Sequence, residues 1–222
     1  MTAQPHDLVR IDPGIARSWA APAWVAASLA EAPWVVVRRG PATPLIPVGV
    51  RGATRTQRFA ANIAAPDAGA RLTPIALLES LPNARTHRVA HAAWSFASCC
   101  AVRNLCWGPI GAFGFELASG IQTTHTASDL DIALHAGSAP CAERRDRLRE
   151  VAAACAAIER ANGVRVDVEV TFGDGPDGAP TPGGDVGIAL HELLSGAPVV
   201  LAKTRAGPQL LANPLLSTTI LQ

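Results

Sequence analysis

Tyrosine is absent from this 222-residue chain, methionine occurs once, and no apolar run approaches the length of a membrane span. The best stretch, residues 89–102, is short and is interrupted by His91, Ser95 and Ser98. A spanning helix needs about 20 mostly apolar residues, so no integral membrane segment is expected. A charge imbalance is missing too: Lys and Arg total 19 against 18 for Asp and Glu, a net charge of +1. General nucleic-acid and membrane-surface binders are more basic, so neither partner is expected. The five cysteines, at 99, 100, 106, 141 and 155, contain no Cys-x-x-Cys pair. An odd, unpatterned set fits reduced thiols in the cytosol rather than a disulfide framework. Asp7 stands early and no apolar signal core follows it, so no signal peptide is expected and the predicted location is cytoplasmic. Apolar residues make up 49% of the chain, enough for a substantial core.

One absence is local. Residues 32–66 contain no acidic side chain, yet Arg38, Arg39, Arg51, Arg55 and Arg58 all fall there. Arginine offers a planar fork that grips phosphate oxygens in pairs. The segment Val48-Gly49-Val50-Arg51-Gly52-Ala53-Thr54-Arg55-Thr56-Gln57-Arg58 therefore reads either as a polyphosphate clamp or as a solvated basic face.

The richest stretch runs over residues 111–134. It reads as a glycine-led turn at Gly111 and Gly114, a short helix, a polar loop, and a strand opening with Asp129 and Asp131. Leu130, Ile132 and Leu134 share one strand face, and Asp129, Asp131 and Ala133 the other. Carboxylates two residues apart on a strand lie roughly 7 Å apart and point the same way. Such a pair is either solvated or holds one or two divalent cations. The turn ahead of it offers backbone N–H groups to a phosphate. This layout resembles the nucleotidyltransferase superfamily, in which a Gly-Ser turn precedes Asp-x-Asp and a later strand supplies a third carboxylate. Residues 164–172 alternate throughout and form that strand, with Arg165, Asp167, Glu169 and Thr171 on the polar face. Asp167 or Glu169 can be the third acid, and the superfamily pattern favours Asp167.

Elsewhere, helices are predicted over residues 18–31, 74–80 (Thr73 as cap), 86–102 and 142–162, the last ending at Asn162-Gly163. Strands are predicted over 34–37, 45–50 and 198–203, and Pro47 marks an edge strand or a bulge. Residues 185–194 read as a short strand or turn entering a helix. Residues 64–73 read as a linker and 173–184 as a loop. His87 and His91 have zinc-compatible spacing but lack a further ligand pattern, so they read as one polar helix face. Lys203 and Arg205 read as a strand end with a phosphate-contact alternative. The expected architecture is α/β (α+β): a mixed sheet flanked by helices, with a smaller N-terminal domain. The expected divisions are residues 1–80, 81–212 and a tail at 213–222.

A closer likeness rests on Trp107-Gly108-Pro109-Ile110-Gly111-Ala112-Phe113-Gly114-Phe115-Glu116-Leu117-Ala118-Ser119-Gly120, Thr124-His125 and Ser128-Asp129-Leu130-Asp131. With His6-Asp7-Leu8-Val9, Pro33-Trp34-Val35-Val36, Val48-Gly49-Val50-Arg51-Gly52, Gln57-Arg58 and Gly207-Pro208, nearly the whole chain resembles the phosphoribosyl-dephospho-CoA transferases of malonate decarboxylase. That resemblance implies transfer of a prosthetic group from triphosphoribosyl-dephospho-CoA to a serine of the malonate decarboxylase acyl carrier subunit, with loss of pyrophosphate. It implies Mg²⁺ on Asp129 and Asp131, and Asp167 completing the metal site or accepting the serine proton. It further implies triphosphate contacts from Gly111, Gly114 and Ser128, and phosphate contacts from Arg51, Arg55 and Arg58. Ala112 departs from the superfamily's Ser, removing a hydroxyl contact of about 1 kcal/mol. The competing readings are a citrate lyase-type counterpart, another small nucleotidyltransferase, and a non-catalytic carrier-protein binding module.

Overall fold

A computed structural model describes residues 3–41, 43–137, 141–172 and 184–216. The chain order is β1 (Leu8–Arg10), α1 (Ala23–Glu31), β2 (Trp34–Val37), β3 (Leu45–Arg51), β4 (Arg58–Ala64), β5 (Arg71–Leu72), α2 (Arg88–Ala97), β6 (Trp107–Pro109), α3 (Gly111–Ser119), β7 (Leu130–His135), α4 (Cys141–Asn162), β8 (Val166–Phe172), β9 (Val186–Ala189), α5 (Leu190–Leu194), β10 (Val199–Thr204) and β11 (Gly207–Ala212). The fold is α+β, as the sequence predicts. No helix of the described residues is long and apolar enough to cross a membrane.

The N-terminal half forms a five-stranded sheet in the order β4-β3-β2-β1-β5, with antiparallel pairing throughout. Its strands alternate. Val9, Val35, Val37, Val48 and Val50 turn inward onto Val25 and Leu29 of α1. Leu8 turns the other way, and with Leu77 and Phe115 it forms a small buried cluster against α3. Pro47 occupies an internal strand, which corrects the edge-strand expectation. The physical reason is local: β2 pairs β3 only at Val36↔Gly49 and Val37↔Val48, so Pro47 lies past that ladder. Its carbonyl still accepts from Arg38 N–H at 2.8 Å, and no ladder donor is lost.

The second sheet has six strands in the order β11-β10-β9-β8-β7-β6, and only β7 and β8 run parallel. Residues 130, 132 and 134 of β7 are fully buried, as are Phe96, Phe113, Val151 and Val170 around them. Each such large side chain contributes about 1.5–3 kcal/mol on burial. α4 presents Leu148, Val151, Cys155 and Ile158 at helical spacing to this core. Its end is set by Gly163 at φ +63.

Residues 74–80, predicted as one short helix, instead belong to a 3-10 segment over Ala76–Asn83, with Thr73 Oγ1 accepting from Ala76 N–H at 3.1 Å. α2 is shorter than predicted, ending at Ala97. The tail expectation is corrected at its start. Asn213 and Leu215 are buried, and Asn213 Nδ2 donates to the carbonyls of Leu193 and Ala197, each at 3.0 Å. The predicted loop at 173–184 lies outside the described residues except for Gly184.

Candidate active site

A cleft of about 1100 Å³ opens between the two sheets. One wall comes from β3 and β4 with Arg51 and Arg58; the other comes from β7, β8 and β10 with Asp131, Asp167, Glu169 and Lys203. The parallel register places Asp131 beside Asp167 on adjacent strands. Asp129 sits just before β7, and its Oδ2 accepts from Arg165 Nη2 at 3.1 Å; the same Nη2 contacts Asp167 Oδ2. Among the described residues Asp131 has no such partner. Burial, reinforced by the charges of Asp167 and Asp129, pushes its carboxyl up to about 6, against Lys203 and His6.

Across the cleft the imbalance is reversed. Burial and the neighbouring Arg58 lower the pKa of Arg51, and burial and Arg55 lower that of Arg58. Like charges are thus crowded on each wall. The carboxylates also suit a hard divalent cation, since every donor is oxygen. Among the described residues no His, Cys, Asp or Glu group of three or more is already gathered as a ligand set. Arg165 occupies the space between Asp129 and Asp167 that such an ion would share.

Gly111 lies against Asp131. It takes φ +65, and a side chain there would meet the Asp131 carboxylate. Gly114 is placed differently from the expectation: its N–H donates to Ile110 C=O at 3.1 Å, and a side chain would strike the Pro109 carbonyl. It is a helix-packing glycine and does not line the cleft. Ser128 holds the turn before Asp129, its Oγ accepting from His125 N–H at 3.0 Å. Arg55 is exposed in the turn after β3 and away from the cleft wall. Arg205 pairs with Asp185 at 2.6 Å instead.

The two acids left open on β8 have different surroundings. Asp167 belongs with Asp129 and Asp131. Glu169 is 7% exposed and is met by three basic side chains: His6 Nε2 at 2.8 Å, Arg39 Nη2 at 2.5 Å and Lys203 Nζ at 2.9 Å. Burial raises its pKa, but the hydrogen bond and charge of His6, with Arg39 and Lys203, outweigh burial and hold the carboxyl well below the usual range. Glu169 therefore ties the N-terminal sheet to β8 and β10.

Glu116 organises the approach to Asp129. Its carboxylate accepts from His87 Nε2 at 2.7 Å, from the backbone N–H groups of Thr123 and Thr124 at 3.1 Å, and from Thr124 Oγ1 at 2.7 Å. Burial raises the Glu116 pKa, yet the bonds from Thr124 and His87 prevail and lower it. His87 also caps α2 through Nδ1, and His91 packs edge-on against Trp94. The reading of both histidines as one polar helix face is corrected: His87 is the cap preceding α2 and only His91 lies on the helix. Sequence reasoning missed His6, Arg39 and Arg165 as parts of the site. His6 and Arg39 meet Glu169 across 163 and 130 positions of chain, whereas Arg165 lies only two residues from Asp167.

Two family models cover the chain. The phosphoribosyl-dephospho-CoA transferase MdcG N-terminal domain matches residues 4–74, and the MdcG C-terminal domain matches residues 76–214. Similar curated proteins include phosphoribosyl-dephospho-CoA transferases of Pseudomonas aeruginosa and Pseudomonas putida strain GB-1. Each is 36% identical, over 95% of this chain and 93% or 94% of the relative. The Azotobacter vinelandii protein of that name is 34% identical over 95% of this chain and 93% of its own. No solved structure matches. With the two models matched over residues 4–74 and 76–214 and relatives aligned along nearly their full length, this chain belongs to the phosphoribosyl-dephospho-CoA transferase family of enzymes.

Proposed function

We propose that this protein transfers the phosphoribosyl-dephospho-CoA group from triphosphoribosyl-dephospho-CoA to a serine of the malonate decarboxylase acyl carrier subunit. The reaction releases pyrophosphate, depends on Mg²⁺ and takes place in the cytoplasm. One observation carries the reading: the cleft sets the carboxylates of Asp131 and Asp167 on one wall opposite the guanidinium groups of Arg51 and Arg58 on the other, with like charges gathered on each. A divalent cation and a polyphosphate together supply the opposite charge to each wall.

Asp129, Asp131 and Asp167 are the residues that would hold Mg²⁺, which would supply positive charge against the negative charge that develops in an in-line displacement. Arg51, Arg58 and Lys203 bind phosphate oxygens from the opposite side and from β10. The first N–H groups of α3, starting at Gly111, add uncharged donors. Glu116 holds the loop that delivers Asp129. Catalysis on these residues is positioning and charge neutralisation, with the serine oxygen forming its bond to the α-phosphorus as the bond to pyrophosphate breaks. A charge of +1 leaves nucleic acid without an electrostatic claim on the chain.

The test is mass spectrometry of the apo carrier subunit incubated with the protein, triphosphoribosyl-dephospho-CoA and Mg²⁺. A mass gain equal to the prosthetic group, lost with EDTA or with Asp129→Asn, supports the reading. A gain only on the citrate lyase carrier overturns the carrier assignment. No gain on either carrier overturns the transferase reading in favour of a binding module.

A further inference from the structure

We propose that His6 is the general base of the transfer, taking the serine proton at Nδ1 while Glu169 fixes the imidazole through Nε2. The inference rests on the transferase reading above. An alcohol attacking phosphorus must lose its proton, and the acceptor must lie within hydrogen-bond reach and titrate near neutrality. The three aspartates do not meet that need: as cation ligands their oxygens are engaged, and Asp129 and Asp167 already share Arg165. His6 lines the same cleft as Asp131 and Arg51.

Its geometry is that of an oriented base. Nε2 lies 2.8 Å from Oε1 of the buried Glu169. A carboxylate at that nitrogen selects the Nε2–H tautomer and leaves the Nδ1 lone pair unprotonated. Nδ1 has no hydrogen bond to any described residue. Arg39 Nη1 flanks Nε2 at 3.3 Å, but that guanidinium bonds Glu169 through Nη2.

The backbone adds a second, independent observation. His6 takes φ +74, a left-handed conformation uncommon for a residue with a side chain. The surroundings impose it: His6 N–H donates to Val37 C=O at 2.9 Å, Val37 N–H to Asp7 C=O at 2.8 Å, and Gln4 N–H to Asp7 Oδ2 at 2.8 Å. A turn needing only to reverse the chain is served better by glycine. Holding a histidine there aims an imidazole from the N-terminal sheet into a site built on the other sheet, and such strain clusters at functional positions.

In the step, Nδ1 accepts the serine proton as the Oγ–P bond forms; the P–O bond to pyrophosphate breaks and its electron pair leaves with pyrophosphate. The imidazolium, neutralised by Glu169, then returns its proton to solvent. The charged groups that face His6 are Glu169 on β8, Lys203 on β10, Arg39 after β2, Asp131 on β7 and the adjacent Asp7.

The test uses the full chain with donor, Mg²⁺ and apo carrier, comparing wild type with His6→Gln and His6→Gly. The glycine variant accepts the positive φ and keeps the fold, which circular dichroism verifies. The expected result is a fall in kcat of roughly a hundredfold or more, with the donor and Mg²⁺ Kd values within about twofold of wild type. Added imidazole restores the glycine variant at least about tenfold, and the rise of kcat with pH expected of wild type is flattened. Full-rate transfer by both variants overturns the inference and leaves the transferase reading standing. A rate loss matched by lost donor affinity and unrescued by imidazole likewise overturns it. A wild-type protein that transfers nothing overturns both.

Discussion

Arg165 reaches back across the strand boundary to Asp129, its Nη2 lying 3.1 Å from Oδ2, and the same nitrogen contacts Asp167. One guanidinium thus bridges two of the three acids, and it is 58% exposed. A divalent ion that binds these acids must displace it. Arg165→Gln is therefore expected to tighten Mg²⁺ binding roughly two- to fivefold, the scale of an exposed ion pair. Isothermal titration of the metal alone measures this, and weaker binding in the variant would show that Arg165 assists the ion rather than competing with it.

Gly111 supports the acid cluster by having no side chain. Alanine there meets the Asp131 carboxylate and must hold φ +65. Gly111→Ala is expected to lower Mg²⁺ affinity at least about tenfold, as loss of ligand positioning does. The melting temperature should fall by only a few degrees. A variant with unchanged metal affinity would separate Gly111 from the ion site.

Glu169 joins residues 6, 39 and 203, and removing its charge leaves the cations of Arg39 and Lys203 without their carboxylate at a buried position. Glu169→Gln is expected to cost about 3–5 kcal/mol in chemical denaturation. Because the folded pKa is depressed, this contribution is present above the unfolded value of about 4.3 and is lost as pH falls below it. A loss under about 1 kcal/mol would mean the junction is held by Leu8, Leu77 and Phe115 alone.

Asp7 behaves in the opposite sense. Burial raises its carboxyl to about 6, against the Gln4 N–H bond, Arg71 and His6. Its contribution is fullest below about pH 4, the unfolded value, and is lost as pH rises through about 6. The difference amounts to about 3 kcal/mol. Asp7→Asn is expected to remove this slope, so melting curves of variant and wild type should converge near pH 4 and separate toward pH 7.

Ala112 follows Gly111 at the start of α3, and its carbonyl accepts from Thr123 Oγ1 at 2.8 Å. Ala112→Ser is expected to lower the donor KM about fivefold, one added neutral hydrogen bond. An unchanged KM would place the phosphate chain away from the start of α3.

The legible parts of this chain are those governed by short-range periodicity. The alternation of residues 130–135 and 166–172 and the apolar stripe of residues 148–158 read directly as β7, β8 and α4. β1, β4, β5, β6 and β11 carry no such signal, because each is short or half-exposed and pairs through register rather than pattern. The acids at 129, 131 and 167 were legible because the strand period fixes their face. The meaning of Gly114 was not: a glycine needed to pass a carbonyl and a glycine needed for a phosphate look alike in sequence. His6 and Arg39 were hidden for a different reason, since their partner lies on a distant strand of the other sheet.

The Glu169 junction has a consequence for the protein's own synthesis. Its ligands emerge from the ribosome at positions 6, 39 and 203, so the N-terminal sheet can fold early while the carboxylate it must meet is still untranslated. Lys203 arrives last, after every other charged group of the cleft. The catalytic centre therefore closes only when the strand carrying it has been made, and a nascent or truncated chain has no complete cleft with which to consume its donor.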